Sequence, residues 1–442
     1  MTRGSRPLGA FETALSLSDD HSPLNVVAAL HLEAPPPEAD LREALADLQR
    51  TQPECRTRLV RQRGGFRFLQ EDVPGIPLRV LPRRDDEHWL EIAEAEANQR
   101  IEAARGPLLR FTYLAPPTSS ENGDLILTSH HSLLDGDSGQ ALVERLLRRW
   151  AGAPLPGTSA PGLPEPADRF FPPSARGARG ALGAAAFMAR QMMDELLHRV
   201  SPGRRAEPSI RPGARTHLSR FRLSAETTGE LAVAARRRRL TLNSVLSAAV
   251  LLAVWRRRYG GRPRRLRGIT FPNLRPYLKP AVAADAPGCY FSLMRYSELL
   301  GKDDDTWSVA ERLQERLGGA FRRGEKFTAA AMAPLAMRMS ISGRAGRMAA
   351  AALSYVGPLR LARVYGGTRL AGLQAFISTP DIGPEYSGLV FLWDDRLEFN
   401  VMTLEGEMSD DEVGAIGQDV VARLEAALAS PSRGQRRGRG AG

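Results

Sequence analysis

Two histidines stand side by side in this chain, His130 and His131, with Asp135 and Gly136 a few residues on. Imidazole is the side chain that changes charge nearest neutral pH, so it can take and return a proton without a cofactor. The whole sequence holds 7 histidines, so two in succession before an acid concentrate proton-transfer chemistry in one place. General-base catalysis is the reaction class this suggests. Ser132 follows directly, but it lacks the G-x-S-x-G context of a nucleophile elbow and reads as structural. A metal centre built on His130, His131 and Asp135 is the poorer reading, because adjacent residues of an extended segment project to opposite sides.

The elements that must hold this stretch are legible on both sides of it. Leu125 to Ser129 is an apolar run long enough for a buried strand, ending at the histidine pair. Ser138 to Trp150 reads as a helix, with Leu142, Leu146 and Trp150 on one face. Strand, histidine loop and helix therefore form one unit, and Gly136 is expected to let the backbone turn sharply or approach a ligand closely.

The segment from His130 to Gly136, HHSLLDG, resembles the HHxxxDG signature of the condensation-domain and chloramphenicol-acetyltransferase-like acyltransferase superfamily. Other stretches match in the family's order. Thr51 to Leu59 (TQPECRTRL) resembles its "RHPxLRTRF" turn, with Gln52 where histidine is usual. Gly106 to Arg110 (GPLLR) resembles a family strand. Thr241 onward (TLNSVLSAA) resembles its "TxNDVLLAA" helix, with Ser244 in place of aspartate. Pro272 to Pro276 (PNLRP) resembles "PVNLRP", and Leu353 to Pro358 resembles an "SNxG" strand end, with Tyr355 in the asparagine place. No DFGWG motif is present; Ser378 to Gly383 (STPDIG) is a poor substitute, which weakens a peptide-condensing reading. The chain looks closest to polyketide-associated and alcohol acyltransferases.

The resemblance implies two chloramphenicol-acetyltransferase-like lobes of α/β (α+β) type, each a mixed sheet with packed helices, and an active-site tunnel between them. It implies His131 as the catalytic base, removing a proton from an acceptor hydroxyl or amine as that atom attacks a thioester. His130 would shape the loop. Asp135 has two readings: orienting His131 as in a triad, or, as the family pattern suggests, pairing with an arginine, for which Arg275 beside Asn273 is the candidate. Ser354 and Tyr355 are candidates for contact with the substrate oxyanion, with backbone N–H groups serving equally well. No bound cofactor is expected. The donor would be acyl-coenzyme A or a phosphopantetheinyl carrier protein. The product would be an ester on a lipid or polyketide-like alcohol. The alternatives are amide-forming condensation between carrier-bound substrates, a wax-ester or diacylglycerol synthase-like enzyme, and a non-catalytic scaffold of the same fold.

Composition bounds these readings. At 442 residues, two domains are the natural expectation. The expected divisions are an N-terminal lobe over 1–165, a crossover with an amphipathic helix over 166–215, a C-terminal lobe over 216–430 and a disordered basic tail over 431–442. The 2 cysteines, Cys55 and Cys289, form neither a disulfide framework nor a metal pattern. The first residues lack a signal peptide's apolar core, so a cytoplasmic location is expected, with peripheral membrane contact as an option. The net charge of +11 rests on arginine clusters, among them Arg236–Arg239 and Arg256–Arg258. It favours an anionic partner such as coenzyme A phosphates, an acidic carrier protein or anionic headgroups. Nucleic acid is excluded for want of any recognition motif.

Several local expectations follow. Asp40 should cap a helix from Leu41 to Arg50, and His88 to Ala104 should be one helix. Gly183 to Val200 should be a helix packing Phe187, Met188, Met192, Met193 and Leu197 into a core, or against lipid. Gly288 to Met294 should be a core strand. Phe327 to Ala352, too charged to span a membrane, should pack inside, with a place against a bilayer as the alternative. Ala375–Ser378, Gly388–Trp393 and Arg396–Thr403 should be antiparallel strands, with Asp394 and Asp395 at a hairpin turn.

Overall fold

The computed structural model describes residues 4–118, 121–152, 162–201, 213–343 and 347–429. The tail 431–442, Ser119, Arg344 and parts of the two crossovers, 151–173 and 201–215, lie outside the described residues.

The chain opens with β1 (Ser5–Pro7), α1 (Ala10–His21), β2 (Asn25–Glu33) and α2 (Glu38–Thr51). There follow β3 (Arg58–Gln62), β4 (Gly65–Leu69), β5 (Leu78–Pro82), α3 (His88–Asn98), β6 (Leu109–Ala115) and β7 (Asn122–His130). Next come α4 (Gly136–Trp150), α5 (Gly177–Arg199), β8 (Thr216–Arg222), α6 (Ala225–Arg237) and α7 (Leu242–Tyr259). After β9 (Arg264–Thr270) and β10 (Met294–Leu300) the chain forms α8 (Thr306–Arg322), α9 (Glu325–Ile341), β11 (Ala351–Pro358) and β12 (Val364–Tyr365). It closes with β13 (Thr368–Ile377), β14 (Tyr386–Trp393), β15 (Arg396–Leu404) and α10 (Asp410–Ala429).

Two six-stranded mixed sheets carry the molecule, in the orders β12-β13-β2-β7-β6-β5 and β10-β9-β11-β14-β15-β8. A small third sheet, β1-β4-β3, sits beside the first. Each large sheet is mixed: β5 runs parallel to β6, and β11 runs parallel to both β9 and β14, while the remaining pairs are antiparallel. This is the expected α/β architecture of two lobes. Sheet membership does not follow a single cut in the chain. β12 and β13, from the stretch assigned by sequence to the C-terminal lobe, complete the first sheet by pairing β13 with β2. The hairpin at Asp394 and Asp395 joins β14 to β15 as expected, whereas β13 pairs with neither.

Two helices differ from their sequence-based limits. Helix α2 begins at Glu38 on Pro37 rather than on Asp40; Asp40 sits in the first turn, where its charge meets the helix dipole. Helix α3 stops at Asn98. Asn98 brackets Thr216, its Nδ2 donating to the Thr216 carbonyl at 2.8 Å and its Oδ1 accepting the Thr216 N–H at 2.7 Å. The next residue, Gln99, is extended, so the helix end is spent on joining the halves.

The cores follow the sheets. Helix α7 is buried continuously from Ser244 to Trp255, as its apolar composition on all sides requires. Between the sheets, Val27, Ala29 and Phe376 of one meet Leu218, Leu389 and Met402 of the other. Gly268 on β9 is a close approach: a Cβ there would fall 2.2 Å from the buried Tyr296 ring on β10. Gly268→Ala should therefore destabilise the second sheet by about 1–3 kcal/mol, seen as a melting temperature lowered by a few degrees in thermal denaturation.

Candidate active site

The histidine loop is fixed first by its backbone. The N–H of His130 donates to the Leu108 carbonyl at 2.9 Å, and that of His131 to the Leu24 carbonyl at 3.1 Å. The two rings then part. His130 is fully buried; its Nδ1 lies 2.8 Å from the Ser132 hydroxyl and accepts the Ser132 N–H at 3.2 Å. That leaves its proton on Nε2, 3.5 Å from Asp19 Oδ2 on α1. Burial alone would raise the Asp19 pKa, but His130, the Leu24 N–H and Arg100 outweigh it and hold the carboxylate low. His130 is thus a wedge between α1 and the loop, and Ser132 serves His130 rather than any substrate.

Asp135 turns away from His131. Its carboxylate makes a two-pronged ion pair with the Arg275 guanidinium, at 2.5 and 3.0 Å, and both groups are buried. The same carboxylate caps α4 by accepting from the Ser138 N–H at 3.0 Å and hydroxyl at 2.9 Å, and it accepts the Tyr290 N–H at 2.8 Å. No lone pair remains to orient a histidine, so the triad reading fails on geometry. Arg275 further donates to the carbonyls of Ala283 and Ala286. Asn273 bridges the same seam, its Nδ2 reaching Asp137 at 2.7 Å and its Oδ1 accepting the Arg275 N–H at 2.9 Å.

The expected strand over Gly288 to Met294 is instead an irregular segment, and β10 starts only at Met294. Its polar groups are divided: the Tyr290 carbonyl and the Ser292 N–H pair with Leu274 and Pro272 in one isolated antiparallel bridge, and those of Gly288 and Cys289 go to the histidine loop. The Gly288 carbonyl accepts from the Asp135 N–H at 3.2 Å and lies 2.9 Å from the Ser138 hydroxyl oxygen. Cys289 Sγ donates to the His131 carbonyl at 3.1 Å; burial pushes that thiol well up, so it stays protonated to donate. Phe291 stacks on His131 with centroids 5.2 Å apart. Sequence reading missed these roles. The one signal was Gly288, whose φ of +127° marks a backbone that a regular strand does not use.

The result is a cavity of about 320 Å³ between the lobes, lined from both halves. His131, Gly136, Asn273, Arg275, Ser354 and Tyr355 all reach its wall. So do Ser378 to Pro380 and Gly383, the stretch discounted above as a motif, whose Asp381 is held by His21 at 2.6 Å. Most of the remaining lining is Leu, Ile, Val, Ala, Phe and Met. Gly136 starts α4 with an ordinary φ. It is not needed for a sharp turn. A Cβ there would meet Val356 at 3.7 Å, so its missing side chain keeps space open on the cavity wall.

His131 lies in this apolar setting, and its pKa falls to about 4. Burial is the main cause, with His130 adding to it; the backbone of Leu134, the Asp135 charge and the ring's own carbonyl pull weakly the other way. Nδ1 is buried and has no hydrogen-bond partner among the described residues. Nε2 is left to face the cavity as the acceptor nitrogen. Burial also raises the Tyr355 phenol, which therefore remains a donor. Among the described residues, no group of three or more His, Cys, Asp or Glu is placed to hold a metal ion.

The chain resembles known proteins in sequence and in fold. Residues 212–364 match the family model of the phthiocerol/phthiodiolone dimycocerosyl transferase C-terminus. A phthiocerol/phthiodiolone dimycocerosyl transferase of Mycobacterium leprae is 31% identical over 193 residues, 42% of this chain and 45% of that protein. The chain thus spans about half the length of the curated relatives it matches. Polyketide synthase associated protein 5 from Mycobacterium tuberculosis superposes over 95% of this chain and 98% of its own, at TM-score 0.68 and 18% identity. Trichothecene 15-O-acetyltransferase from Fusarium sporotrichioides does so over 96% and 95%, at TM-score 0.73 and 13% identity. Condensation domains share the same fold.

Because Asp135 would be left buried and unpaired, Arg275→Ala should cost about 3–5 kcal/mol of stability. Replacing both partners, with Asp135→Asn and Arg275→Met, should cost less. Chemical denaturation of the three proteins checks the order.

Proposed function

We propose that this chain, which has the fold of the condensation-domain and chloramphenicol-acetyltransferase-like superfamily, is an acyltransferase with His131 as general base. It moves an acyl group from a thioester to the hydroxyl of a lipid or polyketide-like acceptor. The observation that carries the reading is the neutral His131 ring on the wall of an apolar cavity shared by both lobes.

The acceptor oxygen attacks the thioester carbonyl carbon while its proton passes to His131 Nε2. Negative charge builds on the carbonyl oxygen, where the hydroxyls of Ser354 or Tyr355, or a backbone N–H, can donate. Collapse breaks the carbon–sulfur bond, and the departing thiolate takes the proton back from His131. An imidazole pushed to about 4 is a weak base in the empty site. The developing oxyanion offsets this as the ring becomes positive, because opposite charges interact strongly in a dry cavity. Arg275 and Asp135 touch none of the reacting atoms; they hold the loop.

A hydroxyl acceptor fits better than an amine. An amine arrives as ammonium at neutral pH, and burying that charge in an apolar cavity is costly. The similarity to phthiocerol/phthiodiolone dimycocerosyl transferases supports transfer to a lipid acceptor. The donor is acyl-coenzyme A or an acyl carrier protein; the excess of +11 suits either anion.

Thiol release from a panel of acyl-coenzyme A donors, with alcohols or amines present, tests the reading. Acceptor-dependent release should fall by roughly 10²–10⁴-fold in His131→Ala. An unchanged rate in that variant would remove His131 from the chemistry, and silence with both acyl-coenzyme A and acyl-loaded carrier proteins would remove the enzyme reading.

The pH dependence has a definite sign. The base must be neutral, so the rate should stay level down to about pH 5 and fall as pH drops through about 4. Stability carries the same group. The folded pKa lies below the ordinary value of about 6.5, so the unfolded chain binds the extra proton between them. Wild type should therefore lose stability, relative to His131→Ala, as pH falls from about 6.5 towards 4.

A further inference from the structure

Helix α5 is built inside out. Its acidic and amide side chains and its histidine face the protein. Asp194 accepts from Ser297 at 2.7 Å, Gln191 accepts from Arg295 at 2.9 Å, Glu195 pairs with the buried Arg267, and His198 is the one buried residue of the helix. The expected core packing of Met192, Met193 and Leu197 is not found: all three are exposed, and Phe187 and Met188 are only half-buried. With the polar side bonded to the protein, the apolar side has nowhere to go but outward.

That side is a continuous stripe at helical spacing. Leu182, Met193 and Leu197 alternate with Met192 and Leu196, and Val200 ends it. Leu182, Met192 and Val200 are 72%, 68% and 69% exposed. Ala185, Ala186 and Ala189 fill the middle of the same face, and the exposed Arg190 lies at its edge, paired with Glu325 at 2.8 Å. Helix α9 packs beside α5 and adds Ala331, Leu335 and Met339, one turn apart and exposed, against the interior packing expected for this stretch. Exposed arginines border the apolar area: Arg176 and Arg179 at the start of α5, Arg199 at its end, and Arg338 on α9. Exposed apolar area of this extent with a basic border marks a surface for contact.

We propose that the outward face of α5 and α9 docks this protein on an anionic lipid surface. A second copy is the poorer occupant. A two-fold contact would bring the arginine borders of two chains, each at +11, against one another. An anionic bilayer meets the arginines with headgroup charge and takes the Met, Leu and Val side chains among acyl chains. Flexible methionine suits a fluid partner better than a fixed one. The face also neighbours the cavity, since α9 sends Met337 into the cavity wall and Leu335 and Met339 outward. The inference stands on this surface alone; the acyltransferase reading adds only a use for it, the delivery of a lipidic substrate.

Vesicle flotation of the full chain tests it, with phosphatidylcholine vesicles prepared with and without phosphatidylglycerol. Wild type should float with the anionic vesicles. The triple variant Met192→Gln, Met193→Gln, Leu196→Gln should lose at least about tenfold of its bound-to-free ratio, with an unchanged melting temperature because these side chains are exposed. Arg179→Glu with Arg338→Glu should abolish the preference for phosphatidylglycerol. Wild type that stays unbound, or a triple variant that floats as well as wild type, overturns the proposal. So does a wild-type dimer in sedimentation velocity that the triple variant dissolves. His131→Ala should float as wild type, so a failure of the chemistry and a failure of docking are read separately.

Discussion

The buried pair of Asp135 and Arg275 is the constraint on which the site depends. Two charges removed from water are tolerated only when each is fully bonded, and here they are. Asp135 accepts from Arg275, Ser138 and Tyr290, while Arg275 also reaches two backbone carbonyls. One carboxylate thereby caps α4, anchors the Gly288–Phe291 segment and joins residues 140 positions apart in the chain. The lock is expensive to assemble and expensive to break, which is the property required of a joint between two lobes.

The lock also determines the character of His131. With Asp135 hydrogen-bonded elsewhere, its charge only partly compensates the imidazole, and burial against Phe291 disfavours the charged form. A histidine so placed is held neutral near neutral pH, with its Nδ1 buried. The cavity wall is apolar because the sheets meet through small and aliphatic residues, and it widens where Gly136 has no side chain. A neutral imidazole, space and dryness thus come from one arrangement. The inverted polarity of α5 is the same economy at the surface: its carboxylates and amide are used inward, on Arg267, Arg295 and Ser297, so its apolar side faces out.

The sequence by itself determined what local chemistry determines. Apolar runs specified the strand before His130 and the buried helix α7, because periodicity and composition suffice where a segment is wholly interior. The HHSLLDG segment and the PNLRP stretch identified His131, Asp135, Asn273 and Arg275 by resemblance, and the structure brings all four to one cavity. Tertiary structure alone decided the rest. Whether Asp135 served His131 or Arg275 depended on a residue 140 positions away. Gly288–Met294 has a strand's composition, but it forms only one isolated bridge and spends the Gly288 carbonyl on the histidine loop, and composition carries no record of a partner. That β13 joins β2 across the lobes, and that the methionines of α5 face outward, were likewise hidden. Pairing partner and facing direction are set by what lies opposite in space, and an apolar stripe looks the same in sequence whether it meets a core or a solvent.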